Sequence, residues 1–135
     1  MLNKTRLAIY TNAIDSNETE NQTEICFQQI DNDTHKIVAQ YHDSNSNTSE
    51  FSQMISDAKI GVFDFIFTSD VRSFGSDLKE TLRIVRELKN FGVVVHFVNN
   101  NICTNKLADE LVLQLASNYP ANSYEVNGLL QYDKM

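Results

Sequence analysis

The sequence predicts an α/β fold in three layers, a mainly parallel sheet of about four to five strands flanked by helices. Short apolar runs alternate with stretches whose apolar residues recur every three or four positions, the periods of strand and helix. Residues 93–98 are rich in β-branched side chains at successive positions, as in a strand covered on both faces. Gly61 and Gly92 follow the two clearest helical stretches, where a glycine commonly ends a helix.

The elements follow in order. Residues 6–12 make a first strand, apolar through Leu7, Ala8 and Ile9 and polar at its carboxyl end. Residues 18–30 place Ile25, Cys26, Phe27 and Ile30 at helical spacing among Glu, Gln and Asn. Residues 37–41 form a second strand, which gives way to a polar loop over 43–49. Thr48 or Ser49 is expected to cap a helix carrying Phe51, Met54, Ile55 and Ala58 on one face. Residues 63–67 form a third strand and 77–91 a long helix through Leu78, Leu82, Val85, Leu88 and Phe91. The run 93–98 is expected to be a central strand. A loop at Asn99, Asn100 and Asn101 leads to a helix with Leu107, Leu111, Val112 and Leu115 on one side, which Pro120 ends or kinks. Residues 123–131 are expected to resume it.

Composition bounds the function. The chain has 135 residues, 41% hydrophobic and 21% charged, the balance of one ordinary domain. Residues 1–135 are read as that single domain, with 107–135 a C-terminal helical segment. No apolar run approaches the ~20 residues of a membrane span, and the start lacks the pattern of a signal peptide, so a cytoplasmic protein is expected. The net charge of −7 and only four arginines, Arg6, Arg72, Arg83 and Arg86, oppose tight binding to a phosphate backbone. The four glycines build no phosphate-cradling motif, and no cofactor is expected.

The remaining chemistry-bearing residues have structural readings. Cys26 falls on an apolar helix face and Cys103 has no partner at ligand spacing. His35, His42 and His96 are scattered, and His96 reads as a core histidine. Asp64 and Asp70 stand about 20 Å apart along an extended strand, too far to share a metal ion, and Asp70 is expected to cap the turn after the third strand. Arg83, Arg86 and Lys89 mix with Glu80 and Glu87 as a solvated helix face.

Three segments together resemble the N-terminal catalytic domain of the resolvase/invertase family of serine site-specific recombinases, particularly its large-integrase branch. They are residues 8–14 with Glu20, Asn21 and Gln22 after them, then 63–64 through 73–77, and 82 through 88–93. The resemblance implies a resolvase-like sheet and DNA strand exchange by a serine that attacks a phosphate beside arginines. It places Asn12 and Ile14 at the family's arginine and serine positions on the first strand, and Ser73 and Ser76 at two further arginine positions. Isoleucine has no hydroxyl to attack with, and one arginine at a phosphoryl-transfer site is worth about 10³–10⁵ in rate. Arg72 and Asp70 would be remnants of the site, with Ser16 two positions beyond Ile14.

On that resemblance the chain is expected not to be an enzyme. It would be a truncated relative without a DNA-binding domain, acting through a protein partner or self-association as a regulator or accessory factor on a mobile element or phage. Direct DNA binding would be weak or absent, and Leu107, Leu111 and Leu115 are expected to present an exposed interaction face. The alternatives are a component of recombination that works with an active partner, and a repurposed small-ligand or phosphate-binding pocket.

Overall fold

The structure, a computed structural model, describes residues 4–44, 47–105 and 108–119. The strands are β1 (Thr5–Ala13), β2 (His35–Ser44), β3 (Phe65–Thr68), β4 (Val94–Phe97) and β5 (Ile102–Cys103), and the helices are α1 (Ser16–Phe27), α2 (Ser49–Lys59), α3 (Leu78–Asn90) and α4 (Ala108–Ala116). The five strands lie in the order β2-β1-β3-β4-β5. All neighbours are parallel except β4 and β5, where His96 faces Cys103 and Phe97 faces Ile102. The α/β sheet of the sequence reading is therefore present.

Alternation along the strands divides the core in two. Ala8, Tyr10, Tyr41, Ile66, Val95 and Phe97 pack beneath Met54 and Ala58 of α2, Leu78, Leu82, Val85 and Leu88 of α3, and Leu111, Val112 and Leu115 of α4. Leu7, Ile9 and Phe67 point the other way, where Cys26 of α1 meets them with Ile30, Ile37 and Phe65. The second cluster is much the smaller, and α1 explains why: Cys26 is its one fully buried side chain, and Phe27 is 40% exposed. A helix of Glu, Asn, Gln and Thr has little apolar surface to bury.

This asymmetry corrects the expectation of a doubly covered, central β4. The middle strand is β3, and Val94 and His96 on β4 are only half-buried. The antiparallel β5 is also an addition, too short to show a period in the sequence.

Helix ends follow local chemistry with one surprise. Asp77 caps α3 by accepting from the Glu80 amide at 2.8 Å, and Gly92 follows with φ +81°, the left-handed turn that glycine makes at little cost. At α2 neither Thr48 nor Ser49 supplies the expected cap through its side chain. Asp43 reaches across from the end of β2 and accepts the Glu50 and Phe51 amides, each at 2.9 Å. A carboxylate does this better than a hydroxyl, having two acceptor oxygens and a charge suited to a helix N-terminus.

Strand β2 carries an irregularity. Leu7 lies opposite Ile37, but Ala8 lies opposite Ala39, so Val38 is an extra residue in the ladder, a β-bulge.

Helix α4 stops at Ala116, ahead of Pro120. Leu111 and Leu115 are 5% and 0% exposed, which corrects the expectation of an exposed interaction face: the apolar stripe is the side that closes the core. The exposed leucine of α4 is Leu113. Leu107, Pro120 and the continuation over 123–131 lie outside the described residues.

Candidate functional site

The carboxyl ends of β1, β3 and β4 share one edge of the sheet, where parallel α/β folds place their sites. A cleft of about 480 Å³ opens there. Strand β1 contributes Asn12, α1 contributes Glu18, Asn21, Gln22 and Ile25, and the segment after β3 contributes Ser69, Asp70, Arg72 and Ser73; Asn99 follows β4.

Each wall is held by its own hydrogen bonds. Asp15 caps α1 by accepting the Glu18 amide at 2.9 Å, and the Glu18 side chain reaches back past it to accept the Ile14 amide at 3.1 Å. Gln22 binds the backbone of Asn12 on both sides, accepting its amide at 3.1 Å and donating to its carbonyl at 3.0 Å. A third Gln22 contact, 3.0 Å to Glu18 Oε1, ties these residues into one polar unit. Asn12 Oδ1 is buried and has no hydrogen-bond partner, a site left for a donor, water or ligand.

On the opposite wall Asp70 caps the short 3-10 turn Val71–Ser73, accepting the Arg72 amide at 2.9 Å. This is the capping role expected from sequence. The Arg72 side chain is exposed, and among the described residues its guanidinium is the one cation in the cleft lining, beside the carboxylates Glu18 and Asp70.

Of the residues singled out in the sequence, the structure brings Asn12, Asp70, Arg72 and Ser73 to this cleft and leaves Ile14, Ser16 and Ser76 out of its lining. Ile14 sits beyond the tip of β1 with its side chain 74% exposed. Sequence reasoning missed Glu18, Asn21, Gln22, Ser69 and Asn99. The rule that sites form at strand carboxyl ends would have pointed to Ser69 and Asn99.

The other candidates are elsewhere. Asp64 is at the amino edge of the sheet, where the Arg6 guanidinium binds it with two contacts of 3.0 and 2.9 Å. His35 and His96 flank the ring of Phe67, and His42 Nδ1 lies 2.7 Å from Thr11 Oγ1. Burial pushes the Cys26 thiol up to about 12. Among the described residues no cluster of three or more His, Cys, Asp or Glu side chains suits a metal, and no helix is long and apolar enough to cross a membrane.

The family model "Resolvase, N terminal domain" matches residues 10–125. Among solved structures the chain is similar to the N-terminal catalytic domain of TP901-1 integrase, with a TM-score of 0.71 and 14% identity over 96% of this chain and 97% of that one. It is similar to a resolvase family site-specific recombinase from Streptococcus pneumoniae, with a TM-score of 0.71 and 19% identity over 85% and 86%. The C-terminal catalytic domain of ISC1926 TnpA, an IS607-like serine recombinase, gives 0.60 and 17% over 96% of each chain. No curated sequence matches.

These matches correct the expectation that the chain is not an enzyme. The family model that spans most of it is that of the resolvase N-terminal domain, and the solved structures named above share its fold. The expectation rested on Ile14 in place of the family's serine and on Asn12, Ser73 and Ser76 in place of its arginines; of these positions Asn12 and Ser73 line the cleft, and Ile14 and Ser76 do not.

Proposed function

Because the chain belongs to the resolvase N-terminal domain family, the catalytic domains of serine recombinases, we propose that it serves in DNA site-specific recombination and joins the DNA-bound assembly through contacts with other recombinase subunits. The observation that carries this reading is the family match over residues 10–125, which takes in both walls of the cleft.

Charge supports a protein-mediated entry. A net charge of −7 repels the duplex at long range, and one guanidinium beside two carboxylates among the described lining residues gives little counterion release on binding a phosphate. A phosphate that does reach the cleft meets Arg72 first, with Ser73 and Asn12 in the same lining. The partner therefore brings the DNA, and this domain adds its surface and cleft to the complex. An accessory role on a mobile element or phage fits that division of labour.

The test adds the purified chain to a mobility-shift reaction containing a full-length serine recombinase and its own recombination-site duplex. A slower-migrating complex that needs both proteins, or a changed yield of recombined product, is expected. A shift pattern and product yield unaltered by excess chain would overturn the reading.

A further inference from the structure

The wall of the cleft that carries Arg72 and Ser73 is fastened by the two residues that end the described chain. The Tyr119 hydroxyl lies 2.6 Å from Thr81 Oγ1 and 3.3 Å from the carbonyl oxygens of both Val71 and Gly75. When Thr81 donates to the phenol oxygen, the phenol proton is free to serve those carbonyls. Tyr119 is only 6% exposed. Burial, foremost, raises its hydroxyl above the ordinary range, so it stays a donor at any working pH.

Asn118 makes a second fastening. Its Oδ1 accepts from Asn100 Nδ2 at 2.9 Å, and Asn100 Oδ1 accepts the Val71 amide at 3.0 Å. Its Nδ2 is anchored to the Gln114 carbonyl of α4 at 3.1 Å, and its own carbonyl receives Arg72 Nη2 at 3.4 Å. The wall has no slack on the α3 side either, because a methyl group on Gly75 would come within 2.9 Å of Thr81 Oγ1.

We propose that Asn118 and Tyr119 are positioning residues: they lock residues 71–75 and the Arg72 guanidinium in place, so that the path of the chain after α4 governs the cleft. The latch itself is a property of the fold. Its consequence for DNA rests on the reading of the cleft given above. A partner that draws the segment after α4 aside would break the Tyr119 contacts first and free Arg72, placing control of the cleft on the far side of the β3–α3 connection.

The test compares wild type with Tyr119→Phe, which removes only the hydroxyl, by amide hydrogen exchange and by the Arg72 side-chain Nε–Hε signal in NMR. Exchange at Val71, Ser73 and Phe74 is expected to rise about tenfold while amides of β1 and β3 keep their protection, and the Arg72 signal is expected to lose order. Thr81→Val keeps the phenol contacts to the Val71 and Gly75 carbonyls and should raise exchange less than Tyr119→Phe, while Asn118→Ala, which keeps the backbone carbonyl that Arg72 meets, should act mainly on Val71. Unchanged exchange over 71–74 in folded Tyr119→Phe overturns the proposal, as does a uniform rise across the sheet, which would mark plain destabilisation. If the wall loosens as expected and the recombinase–DNA complex forms no differently, the latch stands and the reading of the cleft as DNA-facing falls.

Discussion

The Tyr10 hydroxyl donates to Asp43 Oδ2 at 2.9 Å, beneath the first turn of α2. Because Asp43 also caps α2, this contact joins β1, the end of β2 and a helix start through one buried carboxylate. Burial and then the carboxylate hold the phenol well above its ordinary range, so it remains a donor.

Removing that carboxylate should be costly. Asp43→Ala loses a cap and leaves three donors unpaired, and is expected to lower stability by about 2–4 kcal/mol. Tyr10→Phe should cost about 1–2 kcal/mol, and the double variant less than the sum, because the shared contact is lost only once. Urea midpoints of the four proteins check this; strict additivity would show that the pair does not couple.

The leucines of α4 should separate by the side they face. Leu115→Ala empties a fully buried position and is expected to cost about 2–5 kcal/mol. Leu113→Ala, at a site 57% exposed, should stay within about 0.5 kcal/mol. Thermal unfolding of both distinguishes a core stripe from a surface one.

His96 gives the fold an acid-sensitive component. Burial lowers its imidazole below the ordinary value of about 6.5. As pH falls the unfolded chain takes up this proton first, so stability present above about pH 6.5 is lost below it. His96→Gln cannot titrate, and its stability should fall less than that of wild type between neutral and mildly acidic pH. Parallel denaturation curves at both pH values provide the comparison; identical losses would remove His96 as a source.

The two thiols should react in sequence. Cys26 is fully buried and its thiol is held up to about 12, leaving almost no thiolate at neutral pH, whereas Cys103 is half-buried on the edge strand. A disulfide reagent added to native protein should modify Cys103 first and reach Cys26 only on unfolding. Mass spectrometry of the early product identifies the site, and early labelling of Cys26 would count against the packing described here.

Much of this architecture is legible in the amino-acid order, and the gaps have physical causes. Helix α3 can be read directly, because Leu78, Leu82, Val85 and Leu88 share a face between Asp77 and Gly92. The stripe of α4 is equally visible, but periodicity says only that Leu111 and Leu115 share a side, not what that side meets. The Asp43 cap is hidden because its partners lie seven and eight residues on, across a loop. At the site, Asp70 stands out by its place after the third strand, and Asn12, Arg72 and Ser73 through the family resemblance. Glu18 and Gln22 do not, since a polar helix face reads as solvated until the sheet edge is placed beside it.

The extra residue at Val38 has a bearing on how this strand tolerates change in length. On either side of it the pairing with β1 is already in step, so a chain one residue shorter at that point could close the ladder and keep Tyr41 and Asp43 where they are. A loss beyond Tyr41, at His42, could close the bulge only by turning Tyr41 to the other face, and left unabsorbed it would turn Asp43 toward α1 and strand the start of α2. Length variation in β2 is therefore borne at or just after Val38, ahead of Tyr41, whose hydroxyl meets Asp57 of α2.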